Sequence, residues 1–527
     1  MCAYRSKRER PNILLVMADQ WSGPVTSWSG HPLIRTPNLD RLANRGVVFQ
    51  NAYCAAPLCA PSRFAFMSGQ LPSRIGAYDN ASEFPSAVPT FAHYLRRLGY
   101  RTCLSGKMHF VGADQLHGFE ERTTTDVYPA DFAWTPDWTR FEDRIAWWYH
   151  NLLSVKQAGI AEITNQLEYD DEVGHQARHW LYDIARRPER QPFLLVASFT
   201  HPHDPYACRK RHWDLYDHAA IDLPRVGPIP KDRLDPHSRR LHHVSAIDHY
   251  EVTEDDVRNA RHGYYGAISY LDEQIGALLE ILEVTGLAER TIVIFTADHG
   301  DLLGERGLWY KMSFFEMSVR VPLLIHWPQT FSQRSVDTNV SLLDLLPTLV
   351  ELANGGPVEA GTFVTPPDGA SLVPAMTGGA LARGNRIVSE YLAEGAIAPC
   401  FMLKDGPDKF IWCESDPPQL YDLGDDPDEL INLAADPACA NRVKAYEAEL
   451  VQRYDPPALR QRIIRNQQVR LMVADALMQG RYTPWDYQPF RDASRRFMRN
   501  HLDLNEVEES ARFPRPRAVM PPPDAVA

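Results

Sequence analysis

Acidic, basic and imidazole side chains follow directly after four short apolar runs of this chain. These residues are Asp19, Lys107, His109, His201, His203, Asp204, Asp298 and His299. A carboxylate beside a buried strand is costly unless it is paired or binds a metal, and histidine can transfer protons. Taken singly, each residue has a structural alternative, such as a turn aspartate, a helix cap or a surface lysine. Taken together, they are typical of an active site.

The apolar runs themselves predict buried strands of a mostly parallel sheet. They span residues 12–18, 101–105, 193–199, 291–296 and 321–327. Helical patterns lie between them, with predicted starting points at Thr36, Thr90 and Thr253. This alternation predicts an α/β layered fold. Because sites in such sheets form outside the carboxyl ends of the strands, we expect the polar residues to meet at one edge.

A cysteine motif precedes a short helical pattern in the first part of the chain. Its residues are Cys59, Ala60, Pro61, Ser62 and Arg63. A lone cysteine is usually a buried structural thiol. A cysteine followed by proline, serine and arginine at these offsets resembles the signature of the sulfatase family, in which the thiol is oxidised to a formylglycine aldehyde. The resemblance implies that a formylglycine-generating enzyme converts Cys59 during maturation.

The family resemblance implies a metal site formed by residues after two of the strands. The implied ligands are Asp19, Asp298, His299 and a formylglycine oxygen at Cys59. This oxygen-rich set suits a divalent cation, with Ca²⁺ as the first choice and Mn²⁺ or Mg²⁺ as alternatives. Gln20 and His299 depart from many sulfatases and are similar to choline sulfatases and phosphonate monoester hydrolases. Gln20 is expected to ligate weakly or to donate to a substrate oxygen.

Further positions match family residues that act on the sulfate ester. They are Arg63, Lys107, His109, His201 and Lys311, with Asn80 as a substrate contact. One hydroxyl of the hydrated aldehyde, oriented by Arg63, would attack sulfur while His201, near Lys311, protonates the alcohol. A covalent sulfate ester would remain until His109 takes a proton from the second hydroxyl and sulfate is eliminated. Lys107, Lys311 and the metal would neutralise the sulfuryl charge.

Residues 108–169 and the C-terminal region are similar to choline sulfatases, and the likeness covers about residues 11–512. A trimethylammonium group suits aromatic faces and a carboxylate, for which Trp134, His150 and Asp503 are the candidates. Their alternatives are core packing for the rings and a solvated aspartate or helix cap for Asp503. The resemblance implies choline O-sulfate as the substrate and a role in glycine betaine biosynthesis. It also implies a homo-oligomer, a dimer or tetramer, whose tail packs on a neighbouring subunit.

The resemblance further implies an alkaline-phosphatase-like sandwich, with a large mostly parallel mixed sheet flanked by helices and a smaller C-terminal α+β subdomain. Strand patterns at residues 387–391, 400–404 and 409–413 support the subdomain. The predicted divisions are a catalytic domain at residues 1–386, the subdomain at 387–453 and an extended tail in oligomer contacts at 454–527.

Composition limits the partners and the compartment. The chain has 527 residues and a formal net charge of −13, which argues against nucleic acid or an anionic membrane as the main partner. A substrate with a cationic part would suit that sign. Eight unevenly spaced cysteines predict no disulfide framework. The apolar run at residues 13–18 is too short for a signal peptide, so we expect a cytoplasmic protein with no membrane segment.

Two other functions compete with this interpretation. A phosphonate monoester or phosphodiester hydrolase, or a broader alkyl or aryl sulfatase, would use many of the same residues. A non-catalytic osmolyte-binding protein would keep Cys59 as a thiol, but binding alone does not require paired lysine and histidine groups. The aromatic region and the tail favour choline sulfate over these alternatives.

Overall fold

The secondary structure comes from a computed structural model that describes residues 10–146, 149–188, 191–327 and 329–490. The strands in these ranges are β1 (Asn12–Asp19), β2 (Val47–Phe49), β3 (Ala52–Tyr53), β4 (Arg101–Gly106), β5 (Glu121–Arg122), β6 (Gly159–Ile160), β7 (Phe193–Pro202), β8 (Ala207–Cys208), β9 (Thr291–Ala297), β10 (Arg320–Val321), β11 (Leu323–His326), β12 (Arg334–Val336), β13 (Val340–Ser341), β14 (Arg386–Tyr391), β15 (Cys400–Asp405), β16 (Asp408–Cys413) and β17 (Asp416–Asp422). The α-helices are α1 (Pro37–Ala43), α2 (Cys59–Ser68), α3 (Pro72–Ile75), α4 (Phe91–Arg97), α5 (Leu153–Lys156), α6 (Asn165–Arg186), α7 (Lys210–Trp213), α8 (Pro236–Val244), α9 (Glu254–Val284), α10 (Glu316–Val319), α11 (Leu345–Asn354), α12 (Val373–Met376), α13 (Ala440–Tyr454) and α14 (Pro456–Leu477).

A large mixed sheet carries the site, with strand order β12-β2-β11-β9-β1-β7-β4-β5. The central strands β9, β1, β7 and β4 are parallel neighbours, and Leu15 of β1 pairs with Ile294 on one side and Val196 on the other. Every residue of β1, β7 and β9 is buried, which explains why these strands read as continuous apolar runs. The predicted α/β fold with a mostly parallel sheet is therefore confirmed.

The fifth predicted strand divides in two. Pro322 has no backbone N–H to donate, and it separates β10, which pairs with β3, from β11, which pairs antiparallel with β9. This antiparallel pair makes the sheet mixed. The other predicted strands agree with the structure to within a few residues at their ends.

Helices pack beside this sheet in two groups, one of α1, α6 and α9 and one of α2, α4 and α11. Thr253 caps α9 and Asp256 completes its capping box, as the acidic sequence there predicts. Thr90 caps α4 in the same way, with His93 as its reciprocal partner. No helix in the described ranges is long and apolar enough to cross a membrane.

A separate antiparallel sheet lies later in the chain than the large mixed sheet. Its strands β14 to β17 pair in sequence order, and α13 packs against β16. The long helix α14 then covers most of residues 459–479, where the sequence has a basic helical pattern. The domain limits at residues 386 and 453 stay a prediction, and Asp503 lies outside the described residues.

Candidate active site

The carboxyl ends of the central strands and the start of α2 meet at one place. Asp19 ends β1, Asp298 and His299 follow β9, and Cys59 begins α2. All four side chains are buried, and one ligand atom of each lies within 4.8 Å of the others. The expected meeting of the strand ends at one edge therefore occurs in the structure.

These four side chains fit a divalent cation. The Sγ atom of Cys59 lies 3.2 Å from Nε2 of His299, and that nitrogen lies 3.8 Å from Oδ1 of Asp19. Oδ1 of Asp19 is buried without a hydrogen-bond partner among the described residues. A buried carboxylate oxygen without a donor is costly unless a cation binds it. Carboxylate oxygens with one imidazole are suitable ligands for a hard divalent cation.

Arg63 contacts residues at the ends of several strands beside the cluster. Its Nε donates to Asp298 at 2.7 Å, and its Nη1 donates to the Lys107 carbonyl at 2.7 Å and to the Ser198 hydroxyl at 2.9 Å. Its Nη2 lies 3.6 Å from Asp19. Burial disfavours the charge of Arg63, but the two carboxylates outweigh it and raise its pKa. Arg63 therefore fixes the side chains around residue 59.

Lys107 lies at the end of β4, where that strand comes very close to β7. Gly106 has φ +112°, and a Cβ atom there would lie 1.9 Å from the Ser198 carbonyl oxygen, so only glycine fits. The Lys107 ammonium forms a close ion pair with Asp19 and lies 4.2 Å from the centroid of the Tyr128 ring. Burial opposes ionisation of Asp19, but the Lys107 charge is among the causes that lower its pKa.

Positive charge also dominates at Cys59. Burial alone would raise the pKa of the Cys59 thiol, but Lys107, Lys311 and His299 lower it well below its ordinary value. The surroundings of residue 59 therefore favour an anionic group at this position.

His109 is held by its backbone and surrounded by rings. Its φ is +57°, and its N–H donates to Asp126 at 2.9 Å. Its ring centroid lies 5.0 Å from Tyr128 and 5.8 Å from Trp134. The ring lies near Cys59, but neither ring nitrogen makes a well-directed hydrogen bond to a described residue. Burial lowers the pKa of His109, so the neutral imidazole can accept a proton.

Lys311 makes two buried polar contacts near residue 59. Its Nζ donates to Oε1 of Gln20 at 2.6 Å and lies 2.9 Å from Nε2 of His203. The Gln20 amide then donates to Asp301 at 2.6 Å. Gln20 therefore links two charged side chains, and burial raises the pKa of Asp301 to about 6.

His203 takes the place beside Lys311 that the sequence interpretation gave to His201. Nδ1 of His201 lies 2.6 Å from Asp170, and its ring packs against Tyr270. Nδ1 of His203 lies 2.8 Å from the Asp204 carbonyl oxygen. Burial and the Lys311 charge oppose protonation of His203, but the Asp204 and Asp19 carboxylates raise its pKa.

Aromatic side chains and the buried carboxylate of Glu394 form another wall of the site. The Trp134 ring lies 5.1 Å from Tyr128 and 5.2 Å from Tyr149, between centroids. Asn80 accepts from the Ala60 N–H at 3.0 Å and donates to the Tyr149 hydroxyl at 3.1 Å. Asn80 and Trp134 thus both lie near the start of α2.

His150 lies deeper than Trp134. Its ring stacks on Tyr310 at 5.2 Å and contacts Tyr149 at 4.4 Å. Burial and the nearby Lys311 charge lower the pKa of His150 to about 3, so it is neutral.

Glu394 is a site residue that the sequence interpretation missed. It accepts from the Tyr149 hydroxyl at 2.9 Å through Oε1, and its buried Oε2 has no hydrogen-bond partner in the described parts of the chain. Burial raises the pKa of Glu394 to about 7. Its neighbours in the sequence are small and apolar, so no local motif marks it.

Comparisons with known proteins agree with this geometry. The chain matches the sulfatase family over residues 11–355 and the C-terminal region of the choline sulfatase enzyme over residues 461–513. Residues 304–455 also match the C-terminal region of N-sulphoglucosamine sulphohydrolase.

Individual relatives cover most of the chain. It is 48% identical over 512 residues to the choline-sulfatase of Rhizobium meliloti (strain 1021), spanning 96% of this chain and 99% of the relative. It is 30% identical to arylsulfatase K of Xenopus laevis over 81% of this chain and 79% of the relative. The phosphonate monoester hydrolase of Agrobacterium radiobacter shares its fold, with a TM-score of 0.67 and 23% identity over 86% of this chain and 96% of the neighbour. With the family match covering more than half of its length, the chain belongs to the sulfatase family and is a sulfuric ester hydrolase.

Proposed function

We propose that this chain hydrolyses choline O-sulfate to choline and sulfate. The observation that carries the proposal is the division of the site into two ends of opposite character. Lys107, Lys311 and His203 form a cationic end near residue 59. Trp134 and Glu394 belong to the aromatic and anionic wall. Choline O-sulfate carries a sulfate anion and a quaternary ammonium, which match these two ends.

The cationic end would bind the sulfate group and stabilise charge as the S–O bond breaks. Lys107 and Lys311 would contact the sulfuryl oxygens. Asp19, Cys59, Asp298 and His299 would hold the metal ion, for which we propose Ca²⁺ because carboxylate oxygens are prominent in the set. When bound, the cation supplies Lewis-acid polarisation of the sulfate ester.

Residue 59 would supply the nucleophile as formylglycine, made from Cys59 by a maturation enzyme. The proposal includes the covalent sulfate ester on this residue that the family resemblance implies. Arg63 would keep residue 59 aligned through its contacts to Asp298 and the Lys107 carbonyl.

Two histidines would transfer protons, one as choline departs and the other as sulfate is released. His203 would protonate the departing choline oxygen, supported by its raised pKa and by the Asp204 and Asp19 carboxylates that cause this rise. His109 would accept the proton that allows sulfate to leave, supported by its lowered pKa and unengaged ring nitrogens. This assignment replaces His201 with His203 as the acid.

The substrate contacts at the choline end would be Trp134, His150 and Glu394, with Asn80 holding Tyr149. Gln20 would lie beside Lys311 at the cationic end. A tail contact from Asp503 of a neighbouring subunit, a homo-oligomer and a cytoplasmic location belong to the same proposal. They rest on the family resemblance and the composition.

The test compares three substrates on one preparation. We expect the highest kcat/KM with choline O-sulfate, a lower value with 4-nitrophenyl sulfate, and the lowest with a phosphonate monoester. The mass of the peptide containing Cys59 should show formylglycine, and a Cys59→Ala variant should be inactive. A higher kcat/KM with the phosphonate monoester would instead identify a phosphonate monoester hydrolase. An unmodified thiol in fully active protein would sink the formylglycine mechanism.

A further inference from the structure

Helix α14 presents one buried arginine to the loops around the choline end of the site. Nη1 and Nη2 of Arg470 donate to the two carboxylate oxygens of Asp79 at 2.7 and 2.6 Å. Nη1 also donates to the Thr135 hydroxyl at 3.0 Å, and Nε donates to Asn466 at 2.7 Å. The Arg470 side chain is 4% exposed and that of Asp79 is fully buried. A buried bidentate ion pair of this kind fixes both the distance and the relative orientation of its two side chains.

Both partners of Arg470 adjoin residues that the proposed function assigns to substrate contacts. Asp79 directly precedes Asn80, whose amide contacts the Tyr149 hydroxyl. Thr135 directly follows Trp134. The single guanidinium group therefore joins the loop that carries Asn80 to the loop that carries Trp134.

The same helix supports the loop that carries Glu394. Gln467, three residues before Arg470, accepts from the Trp138 N–H at 3.0 Å. The Trp138 indole donates to the Ala393 carbonyl at 3.0 Å. Arg460 donates to the Ile397 carbonyl at 3.1 Å. Helix α14 is thus hydrogen-bonded, directly or through Trp138, to all three loops of the choline end.

We propose that Arg470 is a positioning residue that sets the spacing between Asn80 and Trp134 and so determines selectivity for the cationic alcohol. This inference rests on the proposed function, because it assigns the choline end of the same site. Within the described ranges, Arg470 bonds to Asp79, Thr135 and Asn466 and not to Lys107, Lys311 or His203. The cationic end therefore keeps its own supports. Loss of Arg470 should therefore affect the choline end more than the sulfate end.

The experiment uses Arg470→Lys and Arg470→Met in the full chain, with choline O-sulfate and 4-nitrophenyl sulfate as substrates. Lysine keeps the charge but loses the two-pronged geometry. We expect KM for choline O-sulfate to rise about tenfold or more in both variants, because a displaced buried contact alters binding by that order. We expect kcat/KM for 4-nitrophenyl sulfate to change by less than about threefold.

Two further variants guard against misfolding and provide a control. Thr135→Val removes one hydrogen bond of Arg470 but keeps the ion pair, so it should show a smaller rise in KM for choline O-sulfate. Arg465→Met changes an exposed arginine on the same helix and should leave both substrates unaffected. Melting temperature and the mass of residue 59 are measured for each variant.

Three outcomes decide the proposal. A selective rise in KM for choline O-sulfate in the Arg470 variants and Thr135→Val supports it. Equal losses on both substrates, or unchanged kinetics, overturn it and leave Arg470 a purely structural residue. If the unaltered enzyme turns over 4-nitrophenyl sulfate but not choline O-sulfate, the proposed function itself fails, and this inference fails with it.

Discussion

The Nζ atom of Lys311 lies 2.9 Å from Nε2 of His203, and both side chains are buried. An ammonium and an imidazolium are both donors only, so one of the two must offer a lone pair at this contact. At this contact, one of the two groups therefore donates a proton to a lone pair of the other. This arrangement suits a group that must protonate a poor leaving group and then take up a proton again.

Replacement of His203 by asparagine should lower kcat for choline O-sulfate by about 10²- to 10⁴-fold, the usual contribution of a general acid. The loss should be smaller for 4-nitrophenyl sulfate, whose leaving group departs without a proton. His201→Asn is the matched control, because His201 is bound to Asp170 instead. A larger loss in His201→Asn than in His203→Asn would contradict this assignment.

Acidic pH should weaken binding of choline O-sulfate through Glu394. Burial raises the pKa of this carboxyl to about 7. Below that pH the group becomes protonated and loses the negative charge that attracts the ammonium, so KM should rise as pH falls. Steady-state kinetics across pH 5.5–8.5, a range set roughly one to two units around that pKa, measures the effect.

The Glu394→Gln variant separates this carboxyl from other titrating groups. It should raise KM for choline O-sulfate about tenfold or more, because interactions with a charged group contribute roughly 1.5–3 kcal/mol. The KM of this variant for choline O-sulfate should then rise little as the pH falls. The KM for 4-nitrophenyl sulfate, which has no cation, should not rise with protonation of Glu394 in either protein.

Trp134 should recognise charge rather than shape. Replacing the quaternary nitrogen of the substrate by carbon gives 3,3-dimethylbutyl sulfate, which is close in size but has no cation. A cation–π contact contributes about 0.5–2 kcal/mol, so Trp134→Ala should reduce the preference for choline O-sulfate over this analogue roughly two- to thirtyfold. An unchanged preference would assign Trp134 a packing role only.

Removal of the metal should lower both activity and stability. Chelation leaves the buried Oδ1 of Asp19 without its cation, so the melting temperature should fall. At a metal concentration of one hundred times Kd the bound ion contributes about 2.7 kcal/mol. Ca²⁺, Mn²⁺ and Mg²⁺ are then added back separately, and recovery of turnover identifies the working ion.

Asp19→Asn should lose bound metal by elemental mass spectrometry, whereas Asp337→Asn, an exposed carboxylate, should retain it. Full turnover by metal-free protein would overturn the assignment of this cluster.

The meeting of Asp19 and Asp298 could be predicted from the sequence because both adjoin recognisable elements, whereas their role as metal ligands came from the family resemblance. Asp19 and Asp298 each follow a buried apolar strand, and parallel strands bring such ends to one edge. The histidine that we propose as the proton donor could not be chosen in this way. His201 and His203 follow the same strand between prolines, and only the folded loop shows which ring meets Lys311.

The choline end was harder to predict because its parts come from distant segments. Glu394 meets Tyr149 across 245 positions of the chain, and Arg470 meets Asp79 across 391. Neither pair leaves a periodic or local pattern, so tertiary packing alone defines them.

The chain carries a net charge of −13, yet the cations around residue 59 lie buried inside it. At long range, the electric field of this negative net charge repels an aryl sulfate anion. Zwitterionic choline O-sulfate has no net charge and is not repelled in this way. At 0.1 M ionic strength, added salt largely screens such fields beyond about 10 Å. Rising ionic strength should therefore increase the association rate of the aryl anion and leave that of the zwitterion almost unchanged. The charge of the protein thus favours the zwitterion already during association, before the substrate reaches the pocket.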